Sequence, residues 1–169
     1  MSLLEIRNLS LSIGAHDILK GVDLTLGPGE IVAVTGESGS GKSMTALAVM
    51  QLLPQAARAQ GSIQLDGQEL LDLPEEQMCA LRGQSIGMMF QEPMTALNPV
   101  YTVGFQIEES LKYHTDLSAK EREAKVVELL ADMGIPLPKK RAKEFPHNYS
   151  GGMRQRAMIA MAMSCNPKI

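Results

Sequence analysis

Gly36, Glu37, Ser38, Gly39, Ser40, Gly41, Lys42 and Ser43 follow one another in the pattern G-x-x-x-x-G-K-[S/T]. A loop of this composition can wrap a phosphate in successive backbone N–H groups, because glycine lets the backbone come close and take positive φ. Lys42 supplies a cation for the β- and γ-phosphates of a nucleotide, and the Ser43 hydroxyl is a ligand for the accompanying Mg²⁺. Such a loop needs a strand before it and a helix after it, so that the positive end of the helix faces the anion. Both are expected. Ile31-Val32-Ala33-Val34-Thr35 is a continuous apolar run that suits a strand buried on both faces, and residues 43–53 are rich in helix formers ahead of Pro54.

Two further places carry polar groups at element ends. Gln91 follows an apolar run at 85–90 that reads as a strand, and from there its amide could reach a metal ion or an attacking water. Taken alone, a surface glutamine explains it as well. In Tyr149-Ser150-Gly151-Gly152-Met153-Arg154-Gln155, Ser150 is a natural N-cap. Gly151 and Gly152 in a first turn disfavour the helix, which makes sense if bare amides must meet another group such as a phosphate. Alone, a glycine-containing N-cap accounts for that stretch equally.

The elements that must position these residues follow from periodicity. Leu9, Leu11 and Ile13 keep a strict period of two within a partly alternating stretch from Leu3, and Ile18, Val22, Leu24 and Leu26 continue after a turn at residues 14–17. This predicts an antiparallel hairpin. Residues 62–67 alternate and end in Asp66-Gly67, a strand running into a tight turn. Residues 74–81 read as a short helix opened by Pro74. From Thr102 the pattern is helical. Ser118 and Glu121 form a capping box, Ala124, Val127, Leu130 and Met133 follow at helical spacing, and Gly134 closes that helix. Residues 139–143 are a basic run that reads as a solvated face, and a last helix is expected over about 150–164.

Composition narrows the partners. The 169 residues fit one domain, with 16 basic and 19 acidic residues and a net charge of −3. That balance, with no Trp, three Phe and three Tyr, argues against a nucleic-acid partner. Cys79 and Cys165 stand far apart and read as reduced thiols. Charges at Glu5 and Arg7 interrupt any signal-peptide pattern, and no run reaches the ~18 apolar residues of a membrane span. Work at a membrane would then require docking on a partner.

In this order, the phosphate loop, the glutamine at a strand end and Ser-Gly-Gly at a helix start resemble the ATPase subunits of ABC transporters over essentially the whole chain. Residues 89–99, Met-Phe-Gln-Glu-Pro-Met-Thr-Ala-Leu-Asn-Pro, are similar to the importer ATPases for dipeptides, oligopeptides and nickel. The resemblance implies an α/β P-loop NTPase fold of the ABC ATPase type, with an N-terminal antiparallel β-subdomain and a helical insert. It implies one ABC ATPase domain over 1–169, with the β-subdomain and P-loop core at 1–91 and the helical part at 92–165. ATP and Mg²⁺ would be held by the 36–43 loop, and Gln91 would sense the γ-phosphate, its metal and its water. Ser150, Gly151 and Gly152 would contact the γ-phosphate of ATP on a second ATPase subunit, identical or related. The residues after Gln91 would dock on an integral membrane permease that is served by a solute-binding protein. The subunit would be peripheral, on the cytoplasmic side of the membrane, and would power solute import by ATP binding and hydrolysis.

The sequence departs from that pattern in places. The hairpin tip, Ile13-Gly14-Ala15-His16, has no aromatic residue to stack on adenine, which leaves the choice of base open; His16 is a turn histidine whose ring could stack. Met153 stands where many members have Gln. The family continues past a point corresponding to Ile169 into an apolar strand ending in Asp-Glu, so the sequence reads as cut before that strand. The core sheet is expected to be incomplete, and the 169 residues alone are expected to be inactive. Three rivals remain. A nucleotide kinase would not need Ser150-Gly151-Gly152. A DNA-repair or chromosome ABC ATPase would carry coiled-coil or zinc insertions. The third is a nucleotide-binding fragment without catalysis.

Overall fold

The computed structural model describes residues 2–90 and 96–169 and divides into two compact units, Met1–Cys79 and Ala80–Ile169. Gln91 and residues 92–95 lie outside the described residues.

In the first unit, β1 (Leu4–Ile13) pairs antiparallel with β2 (His16–Leu26). The turn is tighter than expected: Ile13 faces His16, so Gly14 and Ala15 alone make the bend. The alternation in β1 breaks between Ile6 and Leu9, and the register shifts there. Asn8 takes φ 48°, and its amide donates to Asp23 Oδ1 at 2.8 Å. This bulge absorbs one residue and returns Leu9 and Leu11 to the face of Leu4 and Ile6, all buried. β3 (Ala57–Leu65) starts ahead of the expected Ser62 and pairs antiparallel with the other side of β1. Asp66 and Gly67, both at positive φ, turn the chain into β4 (Gln68–Glu69), and the sheet order is β2-β1-β3-β4.

The expected strand at 31–35 is not one. Ile31 is 97% exposed and Val32 and Val34 are exposed as well. A strand exists only where a neighbour completes its ladder of hydrogen bonds, and among the described residues this run has no such neighbour. α1 (Lys42–Val49) ends well before Pro54. Gln51 takes φ 50°, its amide bonds to Ala48 O at 3.0 Å, and the Leu52 amide bonds to Leu47 O at 2.9 Å. This is a Schellman closure, with a glutamine where glycine is usual. The Gln51 side-chain amide donates to Leu70 O, which ties the helix end to the chain beyond β4. α2 (Glu75–Leu81) follows Pro74 as expected.

The second unit holds α3 (Val103–His114), α4 (Ala119–Asp132), α5 (Pro138–Arg141), a 3₁₀ turn at Pro146–Asn148 and α6 (Gly151–Ala162). The capping box on α4 forms in both directions, and the Ile135 amide closes the helix on Leu130 O past Gly134. Its buried stripe is Val126, Leu129 and Leu130, with Ala124 exposed and Val127 half-buried, because those three positions are the ones that face α3 and α6. Val103, Ile107 and Leu111 of α3 and Met153, Ala157, Met158 and Ala160 of α6 complete that core. The expected strand at 85–90 is also absent. Ser85 O accepts from the amides of Lys168 and Ile169, and the Gly87 amide donates to Ile169 O at 2.6 Å, but the run continues without a ladder.

Glu69 fixes the β3–β4 turn. One carboxylate oxygen accepts from Ser62 Oγ at 2.5 Å, and the other from the amides of Ile63, Leu70 and Leu71 at 2.9–3.1 Å. Burial alone pushes this carboxyl up, but the Ser62 hydroxyl and the three amides together outweigh it and hold it below its ordinary 4.5. A depressed folded value means that the stabilisation is present above about pH 4.5 and is lost as pH falls through the lower folded value. In acid titrations of stability, Glu69→Gln is expected to be less stable than wild type at pH 7, with the gap closing below pH 4.5.

Candidate functional site

The phosphate-loop residues come together in one compact turn. Ser40 N donates to Glu37 O at 3.2 Å, and Gly39 and Gly41 take φ 84° and 93°. Gly41 is the N-cap of α1. It offers no side-chain acceptor, and a Cβ there would lie 2.4 Å from Leu19 Cδ2. By contrast, α3, α4 and α6 start on Thr102, Ser118 and Ser150, each accepting from its own first turn. The first-turn amides of α1 are thus left to an outside acceptor, at the end where the helix dipole favours an anion. Lys42 turns back across the loop, with Nζ 2.8 Å from Gly36 O, 2.7 Å from Glu37 O and 3.2 Å from Ser40 Oγ. Its charge is therefore held over the loop. Glu37, Ser38 and Ser43 are exposed, and the Ser43 hydroxyl sits on the first turn. At the hairpin tip His16 is exposed opposite a half-buried Ile13.

In the other unit, Ser150 Oγ accepts from the Met153 amide at 3.3 Å. Gly151 and Gly152 are exposed, and a Cβ on either would meet nothing within 4 Å. Packing inside this chain does not require glycine at either position. Behind them, Tyr149 is buried. Its phenol donates to Arg141 O at 2.8 Å, and its own carbonyl accepts from Arg154 Nε at 3.1 Å. Tyr149 has a visible signal in the sequence, an aromatic residue directly before a Ser-Gly-Gly helix start. Gln106 has a weaker one, an amide buried in the apolar stripe of α3. The Gln106 amide donates to Asn98 O and Tyr101 O and accepts from Asn98 N, pinning residues 98–101.

Residues 19–169 match the family described as ABC transporter. The chain is 46% identical to each of two oligopeptide transport ATP-binding proteins of Bacillus subtilis (strain 168): OppD over 173 residues and AppD over 177. Each match covers 99% of this chain, with 48% of OppD and 53% of AppD. It is 47% identical to the peptidoglycan transport ATP-binding protein YejF of Agrobacterium fabrum, covering 99% of this chain and 32% of that one. The chain therefore spans about half the length of the Bacillus relatives. Among solved structures it resembles the dimeric bacterial ABC transporter cassette MJ0796, with a TM-score of 0.82 and 28% identity over 97% of this chain and 70% of that one. A post-hydrolysis form of the same cassette with ADP and Pi gives a TM-score of 0.83 at 29% identity and the same coverage.

The glycines of the two stretches differ in what substitution does to them. Gly41→Ala forces a Cβ into a left-handed backbone and against buried Leu19, and is expected to lower stability by about 2 kcal/mol. Gly151→Ala has open space and a better helix former, so it is expected to be neutral or stabilising by up to ~1 kcal/mol. Denaturant melts of the two variants check the opposite signs.

Proposed function

Because the chain belongs to the ABC transporter family, we propose that it forms the ATP-binding part of a subunit that powers import of peptides or related small solutes through a membrane permease. The observation that carries nucleotide binding is an uncapped helix start with the Lys42 ammonium held across a glycine loop. The solute class rests on the transport role in the relatives' names. The loop residues Gly36, Glu37, Ser38, Gly39, Ser40 and Gly41 hold the phosphates with Lys42. Ser43 contributes one oxygen to Mg²⁺, which neutralises phosphate charge. Gln91 orients the attacking water.

Ser150, Gly151 and Gly152 present bare amides to the γ-phosphate on a second subunit, so that nucleotide closes a head-to-tail pair and hydrolysis reopens it. The dimeric cassette among the structural neighbours supports this arrangement. No helix among the described residues is long and apolar enough to cross a membrane. The subunit is peripheral, on the cytoplasmic side. It docks on the permease through residues following Gln91, and a solute-binding protein delivers the cargo to that permease. We also propose that residues 1–169 alone bind ATP without hydrolysing it, since Glu92, the acidic residue next to Gln91, reads in the sequence as the start of a loop and not as the end of a strand.

Lys42→Ala removes a charge-assisted contact worth roughly 1.5–3 kcal/mol, so ATP affinity is expected to fall tenfold or more. A binding titration with unchanged affinity would remove the phosphate-loop assignment. For the catalytic claim, residues 1–169 are assayed beside the subunit at the length of its relatives. Phosphate release by both at similar rates refutes it.

A further inference from the structure

A Cβ on Gly151 or Gly152 would meet nothing within 4 Å, so no packing holds these positions, and glycine has more backbone freedom than any other residue. Something else must set the direction in which α6 begins. Ser150 is tied forward, to the Met153 amide. The tie backward is Tyr149, which is 3% exposed and bonded through its phenol to Arg141 O and through its carbonyl to Arg154.

The acceptor end of that bond is itself fixed. Glu144 O and Ala142 O accept from the amides of Val103 and Gly104 at 2.9 Å, which fastens this segment to the first turn of α3. Arg141 Nη1 reaches the Glu144 carboxylate at 2.5 Å and Asn148 O at 3.3 Å. Arg141 Nε is buried and finds no acceptor among the described residues. Burial, reinforced by Glu144 against the weaker pull of Arg141, pushes the Tyr149 phenol up to about 12, so it remains a donor at neutral pH. Residues 141–149 thus form a strap between the starts of α3 and α6, and the phenol is the last bond before the glycines.

We propose that Tyr149 is a positioning residue: its phenol, held by the Arg141 carbonyl, sets Ser150-Gly151-Gly152 in the orientation that meets the nucleotide of a second subunit. This rests on the reading of Ser150, Gly151 and Gly152 given above. Tyr149 touches no nucleotide and acts only through the residues that follow it.

The test uses the assembled ATPase with Tyr149→Phe, which keeps the ring in the core and removes the hydroxyl, and with Tyr149→Leu as a second hydroxyl-free variant. ATP affinity of the single subunit is expected to stay within about twofold of wild type. ATP-driven pairing, read by light scattering across protein concentrations, is expected to weaken about tenfold, and kcat to fall in parallel. A purely structural role would lower the melting temperature and reduce activity only in proportion to the unfolded fraction; that result overturns the proposal. So does a Phe variant that pairs and turns over like wild type. Gly151→Asp, which sets a carboxylate against the γ-phosphate, separates the two levels. If it abolishes pairing while Tyr149→Phe does not, the positioning role fails and the two-subunit reading stands. If Gly151→Asp turns over normally, that reading fails and the positioning role fails with it.

Discussion

An α-helix opens with N–H groups that its own carbonyls cannot reach, and every helix start in this chain has to dispose of them. Thr102 and Ser118 do so with side-chain oxygens, and at Ser118 the Glu121 carboxylate returns the bond. Those helices are closed at their ends and serve the core. α1 does the opposite. Gly41 has no side chain to offer, so its first turn stays open, and the loop before it must adopt backbone angles that suit glycine. α6 is capped as α3 is, by Ser150 on the Met153 amide, but its first turn opens with two exposed glycines that put no side chain over the remaining amides. The two stretches proposed to meet a phosphate are the helix start with glycine as its N-cap and the helix start with two glycines in its first turn. They lie in different units, and each has its own device for staying ordered: Lys42 across the loop in one, Tyr149 behind the helix in the other.

What could be read from residue order was whatever is decided locally. The β1–β2 hairpin and the Ser118–Glu121 box are decided by residues close in sequence and form as read, whereas the glycine-lysine loop leads into a helix as read but follows no strand. The runs at 31–35 and 85–90 have strand-like composition, but strand formation depends on a neighbour, and neighbours are not encoded within the run. Smaller misses have the same origin. The bulge at Asn8 showed only as an interrupted alternation, the end of α1 depends on Gln51 adopting φ 50°, and the buried stripe of α4 was chosen by the helices it faces. Gln106 was legible in principle, as an amide in an otherwise apolar stripe, but the backbone groups it serves could not be named without the fold.

Exposed apolar side chains occur in this chain in two physically different settings. Ile31 and Val34 are exposed on a run with no hydrogen-bonded ladder. Val100 and Tyr101 are exposed on backbone that Gln106 pins from below, and Tyr101 stacks on Phe105 with ring centroids 4.9 Å apart. In the second setting the groups are presented on a rigid base, so little ordering entropy remains to oppose a contact made there.

The Lys42 ammonium bonded to Gly36 O, Glu37 O and Ser40 Oγ has a further effect. The loop carries its own resident competitor. Any anion that enters must displace intramolecular acceptors tethered within a few residues, and tethering gives such acceptors a high effective concentration. A lone phosphate group brings few oxygens to that exchange, and a chain of them brings many. Three oxygens of the loop thus already share the Lys42 ammonium, and a group offering several oxygens in one molecule competes for it better than one offering few.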